Sequence, residues 1–163
     1  MVSKQFRRRA MPKIDWSEGL LPEGEYVLLA HQVRELTDRG GSLVWYVDWL
    51  VIEPARLRGR RFTDRMSWKE TAMWYTRRIM AAAFPEDVRA GKIVDYKPQD
   101  LEGKLIRAKV ELRKIGDEKY NRIAWARWLS TGEDEELKEA IEVALRRVRE
   151  AEEEAKDEEE IPF

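Results

Sequence analysis

The chain has 163 residues, of which 43% are apolar and 39% are charged, and its formal net charge is −1. This length and apolar share predict one domain with a core of moderate size and room for an appendage. The sequence contains no cysteine, which excludes disulfides, thiolate metal sites and thiol catalysis and fits a reducing compartment. Since no apolar run approaches membrane-spanning length, we expect a cytoplasmic protein.

Charge is distributed unevenly along the chain. Residues 133–163 hold 14 acids and 5 bases, a net charge of −9, whereas the remaining residues hold 26 bases and 18 acids, a net charge of +8. A basic body with an acidic tail favours binding to a polyanion, with the tail as an internal competitor for the basic surface. The excess of arginine over lysine, 20 to 11, in so highly charged a chain indicates a thermophilic host.

A basic arm and three strands are predicted in the first part of the chain. Residues 1–13 favour a flexible arm, either a phosphate contact or a solvated tail. The segments 24–36 and 43–53 are rich in strand-forming residues and flank a Gly-rich turn signal at 38–42, which together predict a long hairpin. A third strand is predicted over 60–66.

A helix and two further strands follow. The segment 67–70 has the spacing of a helix capping box, and apolar residues recur at helical spacing over 72–83 until Pro85 stops the helix. Clean alternation of apolar and polar residues then predicts a fourth strand over 104–114, and the segment 119–129 predicts a fifth.

This order of elements predicts a mainly β domain with helices, over residues 14–130. Five strands with a helix between the third and fourth is the order of the OB-fold, a small, partly open barrel that often binds oligonucleotides. Beyond it, Ser130 and Glu133 are spaced as a second capping box, and the segment 131–156 predicts one C-terminal helix with a narrow apolar stripe. We expect the stripe to pack on the barrel, with a dimer contact as the alternative.

An acidic run followed by a short apolar plug forms the C-terminal tip, Asp157-Glu158-Glu159-Glu160-Ile161-Pro162-Phe163. Acidic residues cannot build a core, and proline keeps the plug out of a helix, so the tip suits a partner's pocket with apolar walls and a basic rim. A frayed acidic terminus is the alternative. The tip resembles that of bacterial single-stranded DNA-binding proteins over these seven residues. The resemblance implies docking of replication, recombination and repair enzymes.

A second resemblance covers most of the predicted barrel. The segment Leu21-Pro22-Glu23-Gly24-Glu25-Tyr26, then a Gly turn, a second strand, Gly59-Arg60-Arg61 and a helix are similar to a family of small phage proteins commonly encoded near recombination genes. This similarity implies a phage or prophage setting, and so the cytoplasm of an infected bacterial cell, with an OB-like core but no defined activity.

Strand alternation sorts the candidates for a surface that binds single-stranded DNA, which needs cations to track phosphates and aromatic rings for stacking. In the second strand Asp48 should face water, which turns Tyr46 and Leu50 outward. Trp45 and Trp49 then belong to the core. The outward cations of the third and fourth strands would form one basic track if the barrel closes, or serve ordinary solubility: Arg61, Arg65, Arg107, Lys109 and Arg113.

The fifth strand is ambiguous, because each of its faces carries one tryptophan and one arginine. Alternation puts Ile123 with Trp125 and Arg127 on one face, and it puts Arg122 with Trp128 on the other. We favour Trp125 and Arg127 as the exposed pair and keep Arg122 as a further candidate.

The aromatic residues of the predicted helix are treated separately. Trp68, at the start of this helix, is either a ring for base stacking or a plug of the core. We expect Trp74 and Tyr75 to pack within the protein. The candidate DNA-binding residues are Tyr46, Arg61, Arg65, Trp68, Arg107, Lys109, Arg113, Arg122, Trp125 and Arg127.

The residues needed for catalysis are not found together in this sequence. His31 is the single histidine, so an acid–base pair, a triad or a zinc site would need companions that do not exist. The carboxylates of Asp38, Asp48 and Asp64 stand on separate elements, and no Gly-rich phosphate loop is present. We therefore expect no enzyme, no cofactor and no metal.

The sequence favours a non-enzymatic protein that coats single-stranded DNA with little sequence preference and recruits DNA-processing enzymes through its tip. One alternative is an adaptor or decoy whose tip engages a host enzyme while the barrel binds protein. A recombination enzyme or annealing factor is a third possibility. A homo-oligomer is compatible with all three.

Overall fold

The structure, a computed structural model, describes residues 19–129 and 135–159, with side chains through 156. The predicted arm at 1–13, the capping box of Ser130 and Glu133, and the side chains of the C-terminal tip lie outside the described residues.

Five antiparallel strands form one sheet. The strands are β1 (Gly24–Thr37), β2 (Leu43–Glu53), β3 (Arg61–Ser67), β4 (Leu105–Ile115) and β5 (Glu118–Trp128). They lie in the order β3-β2-β1-β4-β5, so β3 and β5 are the edges. The five predicted strands are confirmed to within a residue or two, because turn residues and a change of period mark each boundary. In residues 19–129 no backbone ladder joins β3 to β5, so the sheet is not closed.

Four helices accompany the sheet in the described ranges: α1 (Met73–Ala83), α2 (Pro85–Ala90), α3 (Pro98–Leu101) and α4 (Glu135–Glu159). The single helix predicted between β3 and β4 corresponds to α1, and two short helices follow it. None of the helices in the described part of the chain is long and apolar enough to span a membrane.

The predicted capping box at 67–70 is wrong. Ser67 is the last residue of β3, and its hydroxyl accepts a hydrogen bond from the Lys69 backbone N–H at 3.2 Å. A 3₁₀ turn, Glu70–Ala72, follows before α1 begins at Met73. The serine therefore shapes the turn after the strand rather than capping the helix.

The main core lies on the inner face of the sheet. Trp45 and Trp49 of β2 are 0% exposed, which confirms their predicted core position. They pack in one cluster with Phe62 and Met66 of β3 and with Ile79 of α1. The strict alternation of β2 places these large rings on one side, where they belong to the same core cluster as α1.

The outer face is covered in part by α4. Leu50 and Ile52 are buried in a second cluster with Leu137, Ala144 and Val148, the apolar stripe of α4. The stripe thus packs on the sheet as predicted. The expectation that Leu50 points to water is wrong, because alternation identifies the face but not the helix that covers it.

A glycine lets α4 approach the connection between β2 and β3. The Arg147 Nη1 atom donates to the carbonyl oxygen of Arg58 at 2.7 Å, and a Cβ at Gly59 would lie 2.8 Å from Arg147 Cδ. Gly59 also has a φ of +91°, which a side chain would strain. The glycine therefore serves both the turn and the helix contact.

Candidate nucleic-acid interface

A cleft separates the two edge strands, and we call it the seam cleft. Its larger part, about 470 Å³, is bounded by β3, by the start of α1 and by β5. A smaller part of about 320 Å³ adjoins the larger one, since Thr63, Tyr120 and Asn121 line both. The cations that line them are Arg61, Arg65, Lys119 and Arg122.

A buried hydrogen-bond chain forms the floor of the seam cleft and bridges the two edges. The Tyr75 hydroxyl donates to Asp64 Oδ2 of β3 at 2.6 Å and accepts from the Ile123 N–H of β5 at 3.0 Å. Burial raises the pKa of Asp64 to about 7, and the hydrogen bond from Tyr75 partly opposes this shift. Burial and the neighbouring Asp64 also raise the pKa of Tyr75. A side chain of α1 thus holds together two strands that share no ladder.

Arg122 occupies the β5 side of the cleft. Its guanidinium carbon lies 4.4 Å from the ring centroid of Tyr75 and 4.9 Å from that of Trp74. The guanidinium of Arg78 approaches Trp74 as well, at 5.2 Å. These cation–π contacts hold cations and rings together at the cleft.

The β3 side carries the cations that alternation predicts. Arg65 and Thr63 are exposed and Arg61 is half-buried, while the residues between them face the core. Arg65 lies opposite Tyr46 in the β2–β3 register, and its Nη2 atom is 3.8 Å from Asp38 Oδ2 in the β1–β2 turn. A partly exposed ion pair of that length is weak, so it restrains the Arg65 side chain only slightly.

A second group of candidates lies on the outer face of β4 and β5, and we call it the outer patch. Arg107 faces Arg127 across the two strands, and Lys109 faces Trp125. The Arg127 guanidinium carbon lies 4.6 Å from the centroid of the Trp125 ring. Arg107 and Arg127 are exposed, and Trp125 and Lys109 are half-buried.

An irregularity in β5 explains why alternation could not assign its faces. The register shifts between Lys109 and Val110, leaving Ala124 as an extra residue between Ile123 and Trp125. Ile123 is consequently buried in the core while Trp125 lies on the outer face, so the prediction that they share a face is wrong.

Three predicted residues lie outside both groups. Tyr46 of β2 is half-buried and lines neither part of the seam cleft. Trp68 packs edge-to-face against Trp45, with ring centroids 5.0 Å apart, and its half-buried ring is a plug at the border of the core. Arg113 lies near the β4–β5 turn, where its Nε atom is 3.5 Å from Glu111 Oε1.

The single basic track expected from the sequence is divided in the structure. Its β3 members, Arg61 and Arg65, stand at one edge of the sheet, and its β4 members stand beside the other edge. The open seam and β5 lie between them, so the candidates form two clusters.

Sequence reasoning missed Trp74, which is 53% exposed although packing was predicted for it. The helical periodicity of this segment could have identified Trp74 as exposed. Tyr75, Thr76 and Ile79 form the buried face of α1, whereas Trp74 shares the open face with Arg78, one turn later.

Comparison with known proteins adds no family to these observations. No protein-family model matches the chain, and no curated protein matches it at significant similarity.

Proposed function

We propose that this protein is a non-enzymatic single-stranded DNA-binding protein. The observation that carries the proposal is the seam cleft, whose lining combines Arg61, Arg65, Lys119 and Arg122 with the exposed ring of Trp74 and the half-buried ring of Tyr120. A binder of single strands with little sequence preference combines a cationic path for the phosphates with rings on which bases stack. The outer patch repeats that combination on the outer sheet face and would attract the strand at longer range.

The order of the strands supports an OB-fold as the scaffold. An OB-fold is a partly open five-stranded barrel, and β3 and β5 would flank its opening. In such barrels the β1–β2 and β4–β5 loops border the binding surface. Here Asp38 of the β1–β2 turn contacts Arg65, and Ile115, the last residue before the β4–β5 turn, lines the seam cleft.

Recruitment of partners is assigned to the C-terminal tip. The acidic run ending in Ile161-Pro162-Phe163 would engage replication, recombination or repair enzymes through pockets with apolar walls and a basic rim. The basic body of the chain would then bind DNA, and its acidic tip would bind partner proteins. A phage setting accords with this pairing of activities.

Titration of labelled oligonucleotides tests the DNA-binding proposal. Single-stranded oligothymidine should bind more tightly than duplex of the same length, and log K should fall with log salt by about 0.7 for each phosphate contact. Measurements at about 50 mM and 200 mM salt give that slope. If the protein ignores oligothymidine at the lower salt yet still binds partners through its tip, the adaptor hypothesis takes its place.

A further inference from the structure

We infer that Trp74 and the adjoining seam cleft form a binding site for one unpaired nucleobase. This inference rests on the proposed function and deepens it, because it names the ring that contacts the base. The sequence instead predicts Tyr46, Trp68 and Trp125 as the rings on which bases stack.

The ring of Trp74 is both exposed and fixed. It is 53% exposed, and it contacts Tyr75 edge-to-face with centroids 5.8 Å apart and an interplanar angle of 74°. Tyr75 is anchored in turn by its hydrogen bonds to Asp64 and Ile123. A ring held on such a support loses little conformational entropy when a ligand stacks on it.

The space beside the ring suits a flat ligand with polar edges. The larger part of the seam cleft measures about 470 Å³, within the range of sites for small molecules. Thr63 and Thr71, two exposed lining residues, provide hydroxyl groups for the edge of a base. A base can enter only after leaving its stack, which favours a single strand over a duplex.

Cations stand where the phosphates of the same nucleotide would lie. Arg78 and Arg122 both contact the Trp74 ring, and the Arg78 Nη1 atom also donates to the carbonyl oxygen of Ala124. A base that stacks on the indole would displace one of the two guanidinium groups. That group would then remain beside the phosphate backbone of the strand. The exchange is favourable because base stacking is stronger than an exposed cation–π contact.

The test compares two oligonucleotides of equal length, one of thymidine and one wholly abasic. Both present the same phosphates, and only the first presents bases. Trp74→Leu is compared with Trp128→Leu, a matched control, because Trp128 is 56% exposed and lines a different cleft with Phe84 and Lys104. Anisotropy titrations give the affinity of each variant for each strand, and circular dichroism checks folding.

We expect Trp74→Leu to weaken thymidine binding roughly 5- to 150-fold. Its abasic affinity should be unchanged, and Trp128→Leu should match the wild type on both strands. If Trp74→Leu fails to fold, Trp74→Phe against Trp128→Phe makes the same comparison with a smaller loss.

One outcome overturns the inference alone: the ratio of thymidine to abasic affinity is unchanged in the Trp74 variant, whether both affinities are retained or both fall by the same factor. A wild-type protein that binds neither strand overturns the DNA-binding proposal and the inference with it.

Discussion

The seam cleft and the outer patch have similar composition but different shape. Each brings arginines against a tryptophan, yet the outer patch lies on an open sheet face, where Arg107 faces Arg127. The seam cleft is concave, and its floor is a buried chain of hydrogen bonds from Asp64 through Tyr75 to Ile123. The contrast teaches that charge and aromatic content do not by themselves make a site. A concave surface with a fixed ring adds selectivity for unstacked bases, whereas a flat basic surface attracts any polyanion.

The largest effect should come from titration of the cleft floor. Because burial raises the pKa of Asp64 from 3.8 to about 7, the folded state binds a proton that the unfolded state releases between these values. The free energy of unfolding should therefore fall as pH rises through that window. The full difference between the two pKa values sets a ceiling of about 4 kcal/mol.

Urea unfolding at about pH 5 and about pH 8 measures this dependence. Asp64→Asn should flatten it. Asp48→Asn is the matched control on the outer face, where burial also raises the pKa of a half-buried Asp48 and Arg61 opposes the shift. A smaller change is expected there. If both variants flatten the pH dependence of the free energy of unfolding equally, the buried floor of the cleft is not its main source.

A second large effect is expected from removing the hydroxyl that bridges the seam. Tyr75→Phe leaves the Asp64 carboxylate and the Ile123 N–H without their shared partner. The free energy of unfolding should fall by about 1–3 kcal/mol, the cost of a buried unpaired polar group. Tyr120→Phe makes the same deletion at a half-buried ring that also lines the cleft, and it should cost less. If both changes cost the same, the hydrogen-bond chain does not hold the seam.

Binding of oligothymidine should distinguish the two cationic clusters. The pair Arg61→Ala and Arg65→Ala should weaken binding roughly 10- to 100-fold and lower the salt slope by about 1.4, since two phosphate contacts are lost. The pair Arg107→Ala and Arg127→Ala removes the same charge from the outer patch and should cost only about threefold. A reversed order would move the binding site to the outer patch.

The smallest effect on DNA binding should follow deletion of residues 157–163. The deletion removes four acidic side chains and should preserve affinity or raise it by about threefold, because these acids repel the phosphates. Binding of partner enzymes should be lost. Pull-down and titration of the same truncated protein measure both, and a loss of DNA affinity would contradict the separation of the two activities.

Much of the fold followed from local patterns. Turn signals and alternation predicted every strand of the sheet, and the core positions of Trp45 and Trp49 followed from the polar Asp48 between them. Leu50 could not be predicted in the same way, because its burial depends on α4, which comes from the far end of the chain. The faces of β5 were also unpredictable, since one extra residue, Ala124, reverses the alternation.

The sequence by itself determined the strands, the amphipathic helices and the separation of a basic body from an acidic tail, because each depends on neighbouring residues. Only the tertiary structure decided which side chains meet. Tyr75 and Ile123 are 48 positions apart, yet their hydrogen bond forms the floor of the seam cleft. Trp74 gains its exposure and its cations from the placement of α1 across β5. Contacts of this kind depend on how edge strands approach each other in space, which no local period encodes.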